Sequence, residues 1–349
     1  MPIRWGIIGC GNVTEAKSGP AFSRVADSRL VAVMRRRGNL AADYARRHNV
    51  PRWYDNAEDL INDPQVDAVY IATPPGSHLE HALRVAAAGK PAYVEKPMAR
   101  NHAECLQMLE AFDRAGVPLF VAYYRRALPR FLRAKELIEK GRIGTVTGVS
   151  LRYADPRHWR VVGNELEWRL VAEHAGGGLF LDLASHTLDI IDFILGPLTQ
   201  VGGSAANRTA NYLVEDTVAM HFMTGCGAVG TGSWNFASFA REDLIQITGT
   251  AGQVTLSTFG NDPVKLTTTE ETRTFELPNP PHIQEPLIQS IVDHLLGRGT
   301  CPSTGASAAR TSRVIDQVLA GYYGGRDDAF WSRPDSWPGR QCSAQNRTC

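Results

Sequence analysis

The chain has 349 residues, of which 21% are charged, and a formal net charge of +1, so its length allows two domains with a large core. The near-neutral charge argues against a nucleic-acid or membrane partner. No apolar run approaches the roughly 20 residues that span a bilayer, and the apolar start is too short for a signal peptide.

The first third of the chain alternates short apolar runs with helical patterns. We predict strands at residues 3–8, 30–34, 67–72, 91–94 and 118–122. Helical patterns fall at residues 40–48, 57–61, 78–88 and 103–115, and Gly89 and Gly116 stand where glycines end helices. This alternation predicts a doubly wound parallel α/β sheet over residues 1–123.

The pattern changes after residue 123. One helix at 131–140 leads into strand-like stretches at 146–153, 200–205, 217–223, 228–233, 243–248 and 253–257. A helix at 177–195 interrupts this series, and two apolar helices follow at 285–296 and 306–322. We predict an α+β domain with an antiparallel sheet over residues 124–326, and a tail at 327–349 that has no assigned role.

Residues 9–14, GCGNVT, follow the first predicted strand directly. In the G-x-G-x-x-G fingerprint the first glycine makes a tight turn, the second lets the backbone approach a pyrophosphate, and the third is small. Gly9 and Gly11 fit the first two positions, whereas Thr14 occupies the third. The alternative is a plain glycine turn. The residues that we predict to bind a dinucleotide here are Gly9, Gly11, Asn12 and Val13.

The end of the second predicted strand bears on the choice of cofactor. An acidic residue there would bind the adenine ribose of NAD, but this chain has Arg35 and Arg36, and its first carboxylate is Asp43. Guanidinium groups bind phosphate through forked, charge-assisted hydrogen bonds. We predict that both arginines hold the 2′-phosphate of NADP or stack on adenine, with NAD as a possible cofactor. A solvated basic turn is the alternative.

An ordered set of segments runs through nearly the whole chain. They are IIGCG at 7–11, ATPPGSH at 72–78, AAGK at 87–90, EKP at 95–97 and GGGLFLD at 176–182, followed by His186 and Asp189. This set resembles the Gfo/Idh/MocA family of oxidoreductases, which includes glucose–fructose oxidoreductase and inositol dehydrogenase. The resemblance implies a Rossmann domain, then an open-faced antiparallel sheet that serves as a substrate wall and often as an oligomer interface.

The resemblance also implies roles for individual residues. It places Glu95 and Lys96 near the nicotinamide ribose and the reacting carbon. Trp168 and Arg169 resemble a pair that reaches the cofactor in NADP-using sugar reductases of the family. The residues that would line the cofactor cleft after the third predicted strand are Thr73, Pro74, Pro75 and His78.

Three ionisable residues suit hydride transfer at a secondary carbon, which needs a proton-moving group and a charge that stabilises an alkoxide. His186 suits the proton role because an unperturbed imidazole has a pKa of about 6.5. Asp182, four residues earlier, would share its helix face and orient the ring or bind a second substrate hydroxyl. Lys96 can supply the positive charge. The glycines at 176–178 would let the helix start lie close to substrate.

Each of these residues also has a structural interpretation, such as a buried histidine that only satisfies its own hydrogen bonds. Asp189 fits a structural role better than a catalytic one. The segment DPRHWR at 155–160 suits either a grip on a sugar or carboxylate, or a solvated loop.

These patterns predict an NAD(P)-dependent oxidoreductase, NADP favoured, that transfers hydride to or from a secondary alcohol or carbonyl of a sugar, polyol or related compound. Six scattered cysteines without C-x-x-C spacing predict reduced thiols, no structural metal and a cytoplasmic location. We expect a small-molecule substrate and a homodimer or homotetramer. Two alternatives stay open: a glycoside hydrolase with tightly bound NAD, and a non-catalytic dinucleotide-binding sensor.

Overall fold

The computed structural model describes residues 1–156, 166–209 and 211–340, which form two compact units. The first unit comprises Met1–Ala99, Glu104–Leu128 and Pro280–Ala309. The second comprises Arg100–Ala103, Pro129–Asn279 and the chain from Arg310 onward.

A six-stranded sheet forms the centre of the first unit, in the order β3-β2-β1-β4-β5-β6, and every pairing in it is parallel. Its strands are β1 (Ile3–Ile8), β2 (Ser28–Met34), β3 (Arg52–Tyr54), β4 (Ala68–Ile71), β5 (Ala92–Val94) and β6 (Leu119–Val121). The strand order reverses between β1 and β4, and ligands of such sheets bind at this point, beyond the carboxyl ends of the strands. The predicted doubly wound α/β sheet is confirmed.

Apolar runs explain these strands, because a parallel sheet is covered on both faces. All residues of β4 and β5 are buried. Strand β3 was not predicted, since its three residues are partly or fully exposed and form no apolar run. The helices of this unit are α1 (Asn12–Ala16), α2 (Gly38–Arg47), α3 (Ala57–Asn62), α4 (His78–Ala87), α5 (His102–Ala115, whose first two residues belong to the second unit) and α9 (Glu285–Leu295).

The predicted domain boundaries need correction at residues 280–309, which belong to the first unit. Thr304 forms a β-bridge with Phe120, and the hydroxyl of Ser303 donates to the carbonyl oxygen of Val121 at 2.7 Å. Gln284 is buried and hydrogen-bonded to Glu95. These contacts are long-range, so no local pattern in the sequence reveals them.

The second unit is built on an eight-stranded sheet in the order β14-β13-β12-β11-β7-β10-β9-β8. Its strands are β7 (Val146–Ala154), β8 (Thr199–Ala206), β9 (Thr217–Met223), β10 (Val229–Asn235), β11 (Glu242–Gly249), β12 (Gly252–Leu256), β13 (Val264–Thr268) and β14 (Thr272–Phe275). The prediction of an antiparallel sheet needs one correction, because β7 and β10 pair in parallel. The long connection between them allows this pairing, since parallel neighbours need a crossover.

One face of this sheet is covered and the other is open. In β10, Gly230, Gly232 and Trp234 are buried, whereas Thr231 and Ser233 are exposed on the opposite face. Such alternation is typical of a half-covered, mostly antiparallel sheet. The helices of this unit are α6 (Pro129–Glu139), α7 (Ala172–Ala175), α8 (Ser185–Leu195) and most of α10 (Gly305–Tyr323), and a π-helical turn, Phe180–Ala184, precedes α8 directly.

The described part of the predicted tail, residues 327–340, belongs to the second unit. Phe330 and Trp337 are buried, and the indole nitrogen of Trp337 donates to the carbonyl oxygen of Phe330 at 2.9 Å. Across the described ranges, no helix is long and apolar enough to cross a membrane. In those same ranges no group of three or more His, Cys, Asp or Glu side chains is placed to hold a metal ion.

Candidate active site

The loop after β1 is shaped by Gly9, whose φ is +90°. The amides of Gly9 and Cys10 donate to the carbonyl oxygen of Met34 at 2.9 and 3.1 Å, which ties the loop to the end of β2. A Cβ on Gly9 would lie 2.9 Å from a side-chain carbon of Thr73 and 3.0 Å from the backbone of Ala72. Only glycine therefore satisfies both the turn and the close approach of the next loop.

Gly11 is the N-cap residue of helix α1, and its missing side chain leaves open space. A Cβ there would meet no described atom closer than the carbonyl oxygen of Gly9, at 3.9 Å. Among the described residues, no acceptor bonds the amides of Gly11, Asn12 and Val13. Free amides beside an open approach are the features that a pyrophosphate requires, so this loop fits a dinucleotide.

Thr14 is accommodated at the third position of the fingerprint because its side chain is fully buried and hydrogen-bonded. Its hydroxyl donates to the carbonyl oxygen of Gly11 at 2.8 Å, and its own carbonyl accepts from the hydroxyl of Tyr44 at 3.0 Å. Burial raises the pKa of the neighbouring Cys10 thiol to about 11. That thiol is therefore protonated at neutral pH and is no nucleophile.

Two arginines follow β2 without a carboxylate partner. Arg35 is half-buried and Arg36 is exposed, and neither forms an ion pair within the described ranges. The carboxylate of Asp43 is engaged by Arg46 at 2.5 Å and by Arg47 at 2.7 Å. The two guanidinium groups are thus available to an anion, and Asp43 is not available to a ribose.

Asp55 was not singled out from the sequence. It directly follows β3, and its carboxylate oxygen lies 3.4 Å from the position that a Cβ on Gly38 would occupy. An acidic side chain therefore lies at the turn between β2 and α2. Because β3 was not predicted, Asp55 was not recognised as a residue that follows a strand. The parallel neighbours β2 and β3 end at the same edge of the sheet, which brings Asp55 beside the turn after β2.

The turn after β4 holds Thr73, which is half-buried, Pro74, which is exposed, and Pro75, which is buried. The hydroxyl of Ser77 donates to the hydroxyl oxygen of Thr73 at 2.8 Å. Thr73 and Pro74 thus present surface at the carboxyl edge of the sheet.

The assignment of His78 to the cleft lining needs correction. The side chain is fully buried, with Nε2 2.7 Å from the carbonyl oxygen of Thr73 and Nδ1 3.1 Å from that of Pro97. Burial lowers the pKa of this imidazole. His78 joins the turn after β4 to the turn after β5 and has no surface to offer a cofactor.

Glu95 follows β5 and is the centre of a buried network. Its Oε1 accepts from the hydroxyl of Tyr70 at 2.5 Å and from Nε2 of Gln284 at 2.7 Å. Gln284 in turn accepts from the hydroxyl of Tyr93 at 2.8 Å, and burial raises the pKa of both tyrosines. Glu95 is 8% exposed. The network therefore fixes the chain at the point where β5 ends.

Lys96 lies directly on this network. Its amide donates to Oε2 of Glu95 at 3.2 Å, and its side chain is half-buried. The peptide bond between Lys96 and Pro97 is cis. The sheet thus brings the glycine loop, Thr73, Glu95 and Lys96 to one edge, the carboxyl ends of β1, β4 and β5.

In the second unit, Asp182 is paired with Arg169. Its Oδ2 lies 3.3 Å from Nε of Arg169, and the same guanidinium contacts Glu167 and lies 4.4 Å from the ring centre of Trp168. The residues predicted from two separate motifs, Trp168–Arg169 and Asp182, are therefore in one cluster. No local spacing predicts this pairing.

His186 lies in the first turn of α8 and is 3% exposed. Asp182 lies in the π-helical turn directly before α8, where each hydrogen bond spans one more residue than in an α-helix. The ring of Phe259 meets the imidazole edge-on, with ring centres 5.8 Å apart. Asp243 holds this aromatic loop, accepting from the amides of Thr258, Phe259 and Gly260 at 2.7–2.9 Å.

The glycines at 176–178, named here the glycine turn, serve packing within the second unit. Gly176 has a φ of +82°, and a Cβ on it would lie 2.5 Å from Cα of Arg100. A Cβ on Gly178 would lie 2.4 Å from the carbonyl oxygen of Glu215. Gly176 and Gly178 thus lie close to the protein itself, which is a second reason for glycine at these two positions. Asp189 is fully buried, and His158 of the predicted sugar-gripping segment lies outside the described residues.

The parallel sheet with its glycine loop and lysine-bearing edge defines a dinucleotide-binding enzyme of the oxidoreductase class. The chain belongs to the Gfo/Idh/MocA family. Residues 3–123 match the family model described as "Oxidoreductase family, NAD-binding Rossmann fold". Residues 131–255 match that of the "GFO/IDH/MocA C-terminal domain".

Relatives of known name span most of the chain. "Oxidoreductase P35" from Formosa agariphila is 37% identical over 315 residues, which are 90% of this chain and 97% of that protein. Trans-1,2-dihydrobenzene-1,2-diol dehydrogenase from Mus musculus is 29% identical over 80% of this chain and 81% of its own. The solved structure of a levoglucosan dehydrogenase with NADH and levoglucosan superposes with a TM-score of 0.82 at 23% identity, covering 91% of this chain and 96% of that chain. This last likeness shows the fold.

Proposed function

We propose that this chain is an NADP-preferring dehydrogenase or reductase that transfers hydride to or from a secondary alcohol or carbonyl carbon of a sugar, a polyol or a related compound. The relatives support this substrate class, since one is named for a diol and a structural neighbour was solved with levoglucosan.

The observation that carries the proposal is the anchoring of Lys96 at the carboxyl edge of the dinucleotide-binding sheet. The buried network around Glu95 holds the backbone of Lys96, which follows β5 at the same edge as the glycine loop. A cation held at the edge where a dinucleotide binds can stabilise the negative charge that develops on a substrate oxygen during hydride transfer.

The NADP preference is supported by Arg35 and Arg36, which follow β2 and have no carboxylate partner in the described part of the chain. A 2′-phosphate would give both guanidinium groups an anion to bind. The competing group is the carboxylate of Asp55, which would suit the ribose hydroxyls of NAD.

The proposed mechanism assigns each residue a task. When bound, the nicotinamide supplies or accepts the hydride. Lys96 donates a hydrogen bond to the reacting oxygen, and His186 takes or returns the hydroxyl proton. Asp182 orients the imidazole or binds a second substrate hydroxyl, with its carboxylate held by Arg169. Trp168 and Arg169 contribute to cofactor binding.

Assembly into a homodimer or homotetramer, in the cytoplasm, is part of the same proposal. The open sheet face offers exposed side chains such as Ser150, Thr231 and Ser233, aligned on neighbouring strands, beside the exposed ion pair of Arg152 and Glu242. A flat surface of this kind suits a second copy of the chain. Light scattering on the purified protein would give a single mass of two or four chains, and a monomer would contradict this part.

The proposed function is tested by turnover with sugars, polyols and cyclic diols in the presence of NADP⁺ or NAD⁺, followed by nicotinamide absorbance. Lys96→Ala should lower kcat by about 10²–10³ and change the Kd of NADPH by less than about threefold, because its charge acts on the reacting oxygen. Lys90→Ala is the matched control: this lysine precedes β5 at the opposite edge and donates to the carbonyl oxygen of Asp63 at 2.8 Å. It should retain full kcat.

Three outcomes contradict the proposal in different ways. Full turnover by the Lys96→Ala variant removes the role of that lysine. Retained NAD with release of sugar from an aryl glycoside indicates a glycosidase. Dinucleotide binding without turnover of any substrate indicates a sensor.

A further inference from the structure

One end of the glycine turn is pinned by a buried arginine. Nη2 of Arg326 donates to the carbonyl oxygen of Gly176 at 2.7 Å and to that of Arg100 at 2.8 Å. Its Nε pairs with Asp316 at 2.7 Å, and the side chain is 1% exposed. One buried guanidinium therefore binds the carbonyl oxygens of Gly176 and Arg100 and the carboxylate of Asp316 together.

A buried carboxylate pins the other end. Glu215 has no exposed surface, and the amide of Gly178 donates to both of its carboxylate oxygens at 3.0 and 3.1 Å. The hydroxyl of Tyr323 donates to Oε2 of the same group. Burial raises the pKa of Glu215. No sequence motif singled out Glu215 or Arg326.

The segment 327–340 covers this arrangement with aromatic rings. The guanidinium of Arg326 lies 4.4 Å from the ring centre of Phe330, and that of Arg100 lies 3.7 Å from the ring centre of Trp331. Trp337 packs edge-on against Tyr323, with ring centres 4.6 Å apart. The segment thus packs against the guanidinium of Arg326 and against Tyr323, whose hydroxyl donates to Glu215.

We propose that Glu215 and Arg326 are positioning residues, which clamp the glycine turn and thereby set the placement of the π-helical turn with Asp182 and of His186 behind it. The residues of the turn directly precede this helix, so a shift of the turn moves its start. A displacement of about 1 Å at a catalytic group can lower a rate about 10²-fold. The aromatic segment 327–340 serves the clamp. This inference rests on the proposed proton-transfer role of His186.

The test compares Glu215→Gln with Asp192→Asn. Asp192 is a second buried carboxylate, which pairs with Arg310 at 2.6 Å near the far end of α8. Loss of either carboxylate should destabilise the protein, but only Glu215→Gln should move His186. The readout is the ring signal of His186 in ¹³C-histidine-labelled protein, assigned with His186→Asn. We expect a shifted or broadened signal for Glu215→Gln and an unchanged one for Asp192→Asn.

Kinetics give the second readout. Glu215→Gln should lower kcat by about tenfold or more, with the substrate KM and the cofactor Kd within about threefold, whereas Asp192→Asn should keep kcat. An unchanged His186 signal in folded Glu215→Gln overturns the inference, whatever substrate the enzyme uses. The signal is independent of turnover, so failure of the proposed function is recognised separately by the absence of activity in the wild type.

A second pair keeps the test usable if Glu215→Gln does not fold. Tyr323→Phe removes a donor to Glu215, and Tyr322→Phe removes a hydroxyl that donates to the carbonyl oxygen of Leu213 at 2.7 Å. The two substitutions are chemically identical and adjacent. Tyr323→Phe should shift the His186 signal and Tyr322→Phe should not. Equal His186 signals in the two variants would contradict the proposed clamp.

Discussion

In the first unit the residues that suit a dinucleotide follow the ends of neighbouring strands, whereas in the second unit the residues proposed for proton transfer lie in and next to a helix and are contacted by residues distant in sequence. Gly9, Thr73 and Lys96 each come within two residues of a strand end, so sheet topology alone brings them to one edge. Asp182 contacts Arg169, His186 contacts the ring of Phe259, and the amide of Gly178, which precedes both, donates to Glu215. Strand-end sites can be predicted from local motifs, but the geometry of a helix-borne site cannot.

The largest effect that separates the two regions is expected for His186→Ala. Loss of a positioned acid–base group should lower kcat by about 10²–10⁴, while NADPH binding stays within about threefold, because the dinucleotide edge belongs to the first unit. Steady-state kinetics and cofactor titration measure the two quantities. A parallel loss of kcat and of NADPH affinity would contradict this separation of roles, since His186 would then serve cofactor binding.

A smaller effect is expected for Gly9→Ala. A side chain at a φ of +90° and 2.9 Å from Thr73 should cost about 1–3 kcal/mol of stability and weaken dinucleotide binding by about tenfold. Gly89→Ala is the control, with a φ of +67° and nothing within 4 Å of its Cβ. It should lose stability without losing cofactor affinity. Equal cofactor affinities in the two variants would contradict a role of the Gly9 loop in dinucleotide binding.

The smallest effect concerns Glu15, which links α1 to Arg47 on α2 through an ion pair of 2.6 Å. This pairing lowers the pKa of Glu15 from 4.5 to about 2. The ionised group therefore stabilises the fold above its unfolded pKa, and this contribution is lost as pH falls towards the folded pKa.

We expect wild type to lose more stability than Glu15→Gln between about pH 5 and about pH 3, by less than about 1 kcal/mol because the pair is partly exposed. Urea unfolding at several pH values measures the difference. Identical pH dependence in both proteins would show that the ion pair of Glu15 and Arg47 does not contribute to the stability of the fold.

The sequence predicted most of the apolar strands and the identities of the charged residues, because both depend on local pattern. Strand β1 occupies residues 3–8 as predicted, but β13 and the edge strand β14 are rich in threonine and charge and were not predicted. His78 was assigned to ligand contact but is fully buried, and the glycine turn makes backbone contacts that no motif predicted. Such contacts join residues far apart in sequence, so neither composition nor local spacing predicts them.

The most direct test of the proposed NADP preference is a fluorescence titration of wild-type protein with NADPH and, separately, with NADH. We expect an NADPH Kd at least about tenfold lower, a difference of about 1.4 kcal/mol, and loss of that difference in the Arg35→Ala/Arg36→Ala double variant. Equal affinities, or tighter NADH binding in the wild type, would contradict it. The adenine ribose would then be assigned to a carboxylate such as Asp55, in place of the two arginines.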